Sequence, residues 1–245
     1  MKRLLNLALL VFLLIFLPVY VYYSGSRHFE AYAAILDLLL VLLAAICYWT
    51  AAFAATDGSD RVWFRISVGL FVWCIAICFR LCEMALNVAG YGSIADGFWV
   101  VGCLPLGLGA YLWFCSATSD RPRLRLVLVL AGVSAGILVL AIVWPLISNP
   151  TRPALLKALD LFYPALDLLL VILLIPPALQ KDAWGGGFLS TAFVLLLVSD
   201  LLFSYYGNNP TSRIYRYLDV PYTAGYFLLA MAGYAQRMML RSHQT

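Results

Sequence analysis

The sequence predicts an all-α, polytopic membrane bundle of eight transmembrane helices, and three observations carry that prediction. Hydrophobic residues make up 64% of the 245 and charged ones 11%, whereas a soluble domain is nearer half apolar and a quarter charged. The mean hydropathy is +0.93. The apolar residues fall into runs of about 20, the length that crosses a hydrocarbon core of about 30 Å as helix, without the alternation of barrel strands. The connections between runs are short, so the spans form one bundle with no soluble domain.

The first span, 4–23, follows Lys2 and Arg3. It is too long for the core of a signal peptide, and no A-x-A cleavage pattern follows, so it counts as a span. The second, 31–55, follows Glu30 and contains Asp37. The third, 63–86, holds Arg80 and Glu83 at i, i+3, and Cys74, Cys78 and Cys82 on one face at i, i+4, i+8. Such a thiol stripe reads either as small residues that let helices approach closely or as a thiol or metal site. The fourth span, 95–116, begins around Asp96 and carries Trp99. The fifth, 124–147, follows the basic turn from Asp120 to Arg125. The sixth, 155–178, carries Asp160, Tyr163 and Asp167; the seventh, 187–206, is preceded by Gly185-Gly186-Gly187 and carries Asp200; the eighth, 217–238, carries Asp219 and Tyr222. All six cysteines fall inside spans, so no disulfide framework is implied.

Basic residues set the expected orientation. With a cytoplasmic N-terminus, the inner segments hold Lys2, Arg3, Arg61, Arg65, Arg121, Arg123, Arg125, Lys181, Arg237 and Arg241, and the outer ones hold Arg27, Arg152, Lys157, Arg213 and Arg216. This bias predicts both termini in the cytoplasm. The net charge of +4 then reflects the bias and contact with anionic lipid, with no need for a nucleic acid.

The two halves match. Glu30 to Val41 reads EAYAAILDLLLV and Asp160 to Val171 reads DLFYPALDLLLV, so each places an acid seven residues before an aspartate that opens the same Leu-Leu-Leu-Val run. Asp96-x-x-Trp99-x-x-Gly102 with Tyr111 is spaced like Asp219-x-x-Tyr222-x-x-Gly225 with Tyr234, and Pro18 and Pro145 occupy similar places in the first and fifth spans. These features predict two parallel four-helix repeats, 1–120 and 121–245, related about the membrane normal. The second and sixth spans are then expected as neighbours at the repeat interface.

Acidic residues gather on one side. Asp57, Asp60, Asp120 and Asp182 fall in the inner segments, while Glu30, Asp37, Glu83, Asp96, Asp160, Asp167, Asp200 and Asp219 fall in the outer half. Glu30, Asp96, Asp160 and Asp219 read as helix caps or dipole partners. Asp37, Asp167 and Asp200 lie deeper, and a carboxylate at such depth is expensive unless it pairs, lines a cavity or binds something. Arg80 needs a partner, either Glu83 or an aspartate across the bundle. Tyr20, Tyr22, Tyr23, Tyr205, Tyr206, Tyr215 and Tyr217 read as an interfacial aromatic belt. Tyr163, Trp99 and Tyr222, next to the acids, read as pocket lining. The candidate ligand site is therefore Asp37, Arg80, Glu83, Asp167, Asp200 and Asp219 with those three rings, opening outward.

Several chemistries lack their residues. The histidines His28 and His243 lie outside the spans, so haem held by two histidines within the bundle and a histidine-based metal centre have no ligands. Neither Lys157 nor Lys181 sits in the middle of the last span, as a retinal Schiff base would ask, and no P-loop, Gly-x-Ser-x-Gly or zinc-protease motif occurs. No cofactor, metal or catalytic residue is assigned.

Three segments, Asp160-x-x-Tyr163-Pro164-x-x-Asp167-Leu168-Leu169-Leu170, Ser199-Asp200-Leu201-Leu202-Phe203 and Tyr217-Leu218-Asp219-x-x-Tyr222-x-x-Gly225-Tyr226, resemble the multi-pass membrane input domains that precede GGDEF or EAL domains in bacterial signalling proteins. The resemblance covers about residues 155–238. It implies a sensory bundle in the bacterial inner membrane that binds a small ligand or responds to lipid and passes a helix movement to a cytoplasmic partner. About ten residues follow the eighth span, so output is expected through a separate chain. The leading expectation is a non-catalytic sensory or ligand-binding bundle with a small polar or cationic ligand. The alternatives are an assembly subunit of a larger membrane complex and an ion- or proton-coupled transporter.

Overall fold

The computed structural model describes residues 2–23, 29–56, 58–88, 92–180, 184–206 and 217–242. Arg27, His28, Asp57, Lys181, Asp182, Arg213, Tyr215, Arg216 and His243 lie outside the described residues. All described regular structure is helical. Helix α1 runs through Lys2–Val11, a π-helical stretch at Phe12–Phe16, and Leu17–Tyr23. It is followed by α2 (Phe29–Ala54), α3 (Asp60–Ala85), α4 (Ile94–Ala117), α5 (Pro122–Ile147), α6 (Ala154–Ala178), α7 (Trp184–Tyr206) and α8 (Asp219–Ser242).

Local sequence explains several ends. At α4, Ser93 and Asp96 form a capping box: Asp96 Oδ2 accepts hydrogen bonds from the backbone N–H groups of Gly92, at 2.7 Å, and Ser93, at 2.8 Å. Gly92 has φ +85°, a conformation that costs glycine little. Pro122 takes the first turn of α5, where its missing N–H costs nothing. Arg125 folds back from that turn, donating to Thr118 Oγ1 at 2.9 Å and to the Cys115 carbonyl at 3.3 Å. It thus serves the end of α4 as well as the basic bias.

Among the described residues, seven helices are long and apolar enough to cross a membrane, and α8 is not one of them. Its sequence includes Asp219, Gln236, Arg237 and Arg241, yet Leu228, Leu229, Ala230, Met231, Ala232 and Ala235 are buried. A helix enclosed by protein has no need of an apolar surface on every side. In contrast, α5 exposes Leu126, Val127, Val129, Leu130, Val133, Ile137 and Leu138, as a peripheral membrane helix does.

Helix contacts follow a ring in the order α2, α3, α4, α6, α7, α8 and back to α2; α1 lies against α8, and α5 against α6 and α7. The expected α2–α6 pairing therefore gives way to α2 between α3 and α8, and α6 between α4 and α7. Small residues set the closest approaches. A Cβ on Gly69 would stand 2.5 Å from Leu106 Cγ and 2.6 Å from the Gly102 carbonyl oxygen, and one on Gly102 would stand 2.5 Å from Trp73 Cδ1. Inside the ring, Val41, Tyr48, Ile66, Leu70, Leu106, Leu170, Leu174 and Leu229 form a continuous core.

The cysteines are all free. Cys74 is buried, but Cys78 and Cys82 are exposed on an open apolar groove of about 370 Å³ that Phe71, Ile75 and Phe79 also line. Close helix approach therefore does not account for Cys78 and Cys82. Among the described residues no group of three or more side chains is suited to hold a metal ion.

The α3–α4 contact predicts that Gly69→Ala lowers unfolding stability by about 1–3 kcal/mol through overpacking. Gly136→Ala, where nothing lies within 4 Å of the added Cβ, is expected to be neutral or to gain up to about 1 kcal/mol from helix propensity. Denaturation of the two variants in mixed detergent compares them directly.

Candidate functional site

The starts of α2, α4, α6 and α8 and the ends of α3 and α7 share one end of the bundle, which holds the sequence-predicted acids. Their roles diverge there. Asp96 is a cap, as expected, and its Oδ1 also accepts a hydrogen bond from Tyr163 of α6 at 2.8 Å. Tyr163 thus fastens α6 to α4. Asp160 is not a cap: it lies a full turn and more inside α6, is fully buried, and meets the Arg152 guanidinium at 2.5 and 2.9 Å. The burial of that carboxylate is tolerable because two charge-assisted bonds answer it.

Helix α8 supplies the donors for the deeper acids. Consecutive residues on a helix point about 100° apart, so Tyr222 and Thr223 reach different neighbours. The Tyr222 hydroxyl donates to Asp200 Oδ1 on α7. Thr223 Oγ1 bonds Asp37 Oδ1 on α2 at 2.6 Å and the Tyr20 hydroxyl on α1 at 2.9 Å. A threonine hydroxyl has one proton, so it donates to the carboxylate and accepts from Tyr20. Two adjacent residues of α8 thereby hold carboxyl groups from both halves of the chain.

Asp167 lies deepest, thirteen residues into α6, or about 20 Å along the helix axis. It is 5% exposed, its Oδ2 has no hydrogen-bond partner, and its carboxyl group lies within electrostatic range of that of Asp200. Tyr226, one turn beyond Tyr222, is buried and lies within electrostatic range of Asp37, Asp167, Asp200 and Cys103. Its ring belongs to an aromatic group: Trp73 and Trp99 meet edge to face at 5.2 Å, Trp99 and Tyr226 lie nearly parallel at 6.3 Å, and Trp73 and Tyr226 are 6.4 Å apart. The Trp73 indole N–H donates to the Trp99 carbonyl at 3.1 Å.

The structure brings Asp37, Asp167, Asp200, Tyr222 and Trp99 around Tyr226. Arg80 acts on Asp219, as Glu30 does, so it faces an aspartate across the bundle. Glu83 keeps Oε2 buried without a hydrogen-bond partner, and no described interaction ties it to Asp37, Asp167 or Asp200. Tyr163 belongs to the Asp96 cap. Sequence reasoning missed Tyr20, Trp73, Cys103, Thr223 and Tyr226 as site residues. The belt explanation absorbed Tyr20, but Tyr226, seven residues after Asp219, lay on the same helix face and was the available signal.

Fold and site together define a multi-pass helical membrane protein with a buried acidic and aromatic centre. No protein-family model, curated protein or solved structure matches the chain.

Arg152→Ala, which strands the fully buried Asp160, is expected to cost about 3–5 kcal/mol of stability. Replacing both partners with leucine should restore most of that loss, as thermal unfolding in detergent will read.

Proposed function

We propose that this chain is a non-catalytic sensory or ligand-binding bundle of the bacterial inner membrane, whose acidic centre takes a small polar or cationic ligand. The observation that carries the reading is Asp167: a carboxyl group 5% exposed, with one oxygen lacking a hydrogen-bond partner and a second acid at its side. An arrangement built for stability alone would pair that oxygen or replace the residue with an apolar one. Asp37, Asp200, Tyr222 and Trp99 keep partial exposure, and in this reading the ligand enters past them.

Helix α8 is the output element in this reading. It touches the ligand centre through Tyr222, Thr223 and Tyr226, and near its other end Gln236 is buried and Arg237 lies within electrostatic range of Cys47 of α2. A displacement at one end of a rigid, enclosed helix is felt at the other. Signalling then passes to a separate membrane or cytoplasmic protein. The order of helix contacts supports a duplicated origin, since α2 beside α8 and α6 beside α4 are equivalent pairings when the halves are exchanged. The basic bias supports N-terminal and C-terminal ends in the cytoplasm, with the acidic centre opening outward.

The second reading, an assembly subunit, draws on α1 and α5, whose outer faces are largely exposed apolar surface. A companion protein that stays bound to the whole chain through purification in mild detergent, with no solute response, would favour it.

The ligand reading predicts that wild-type protein gains saturable thermal stability from at least one solute in a panel of small cations, amines and neutral polyols. The Asp37→Asn, Asp167→Asn double variant should keep its helical circular dichroism and lose that response. An identical response in the double variant would reject the site.

A further inference from the structure

We propose that the ligand of the acidic centre is a primary organic ammonium, with its N–H groups on Asp167 and Asp200 and its carbon body against Trp99 and Tyr226; this rests on the ligand-binding reading above. The charge balance comes first. The titratable groups within electrostatic range of Asp167 or Asp200 are Asp96, Cys103, Tyr222 and Tyr226, and Asp37 acts on Tyr226 as well. None is a cation. An acidic centre with no cation among these groups suits a cationic ligand.

The donor set then separates ammonium from metal. Ca²⁺ and Mg²⁺ take six or more oxygens, and bare alkali ions are held by rings of backbone carbonyls. Among the described residues no metal-suited group of three or more ligating side chains exists. A primary ammonium has three N–H donors and asks for less. Asp167 Oδ2 is an acceptor with no present donor, and Asp200 beside it accepts from Tyr222 through Oδ1.

The walls complete the match. Trp73, Trp99 and Tyr226 have ring centres within 6.4 Å of one another, and Tyr226 lies in range of both acids. Aromatic faces attract ammonium groups electrostatically and cover their alkyl parts, which inorganic ions do not have. Carboxyl groups for the charge and rings for the body are the two halves of organic ammonium recognition.

The test uses the full chain in detergent at fixed pH and matched ionic strength. Tryptophan emission and thermal unfolding are followed during titration with butylammonium, tetramethylammonium, sodium, potassium or magnesium chloride. Butylammonium is expected to change the emission and raise the melting temperature saturably, tetramethylammonium to act at least about fivefold more weakly, and the inorganic salts to do neither. Asp167→Asn should weaken the butylammonium response at least about tenfold. Trp99→Leu keeps both carboxyl groups and should weaken it about tenfold, which provides the answer if the aspartate variant does not fold. Undiminished butylammonium binding in both variants overturns the proposal. A response to sodium, potassium or magnesium that equals the butylammonium response and depends on Asp167 overturns the ammonium assignment while leaving the acidic ligand site standing. Silence toward these salts and toward the wider panel of polar solutes overturns both.

Discussion

A carboxylate inside an apolar slab needs a hydrogen-bond donor, and in this bundle the donors sit on other helices. Asp37 of α2 depends on Thr223 of α8, and Asp200 of α7 depends on Tyr222 of α8. Asp96 of α4 takes a bond from Tyr163 of α6. Each bond ties one helix to another at a defined height, because sliding by one residue would rotate a donor by about 100°. A uniformly greasy helix packs almost equally well in several registers; these polar contacts select one. Asp160 obeys the same rule locally, through Arg152 in the preceding turn.

Helix α8 occupies its central place for the same reason. It carries the hydroxyls that satisfy acids on both sides, and its own polar residues are tolerable because α2 and α7 enclose it. Small residues let that enclosure close. A Cβ on Gly233 would meet Cys47 Cβ at 3.0 Å and the Ala44 carbonyl oxygen at 3.2 Å, and one on Gly225 would meet Leu196 Cδ2 at 3.1 Å. Close backbone approach replaces the hydrophobic drive that lipid does not supply. Asp167 and Glu83 depart from the pattern, each with a buried oxygen that lacks a donor, and Asp167 lies the deeper of the two. Departures of this kind mark places where a fold has been arranged for something other than its own stability.

The twin acidic runs of α2 and α6 illustrate how similar sequence can take different roles. Glu30 acts on Asp219 at the start of α8, whereas its counterpart Asp160 is buried in an ion pair with Arg152. Asp37 is answered by a threonine, whereas Asp167 adjoins another acid.

Sequence alone located the seven apolar helices to within a few residues at each end, because a bilayer imposes a fixed length of apolar residues on anything that crosses it. It also determined the Asp96 cap, which needs only Ser93 three residues away, and the concentration of acids at one end. It did not determine who sits beside whom. In a soluble helix the apolar stripe points to the core, but these helices are apolar on nearly every face, so periodicity carries little direction. The ring order that separates α2 from α6, the assignment of Asp160 to Arg152, and the convergence of Tyr226 on three aspartates were decided by tertiary packing. Those contacts join residues as far apart in the chain as Tyr20 and Thr223, and no local pattern records a partner at that distance.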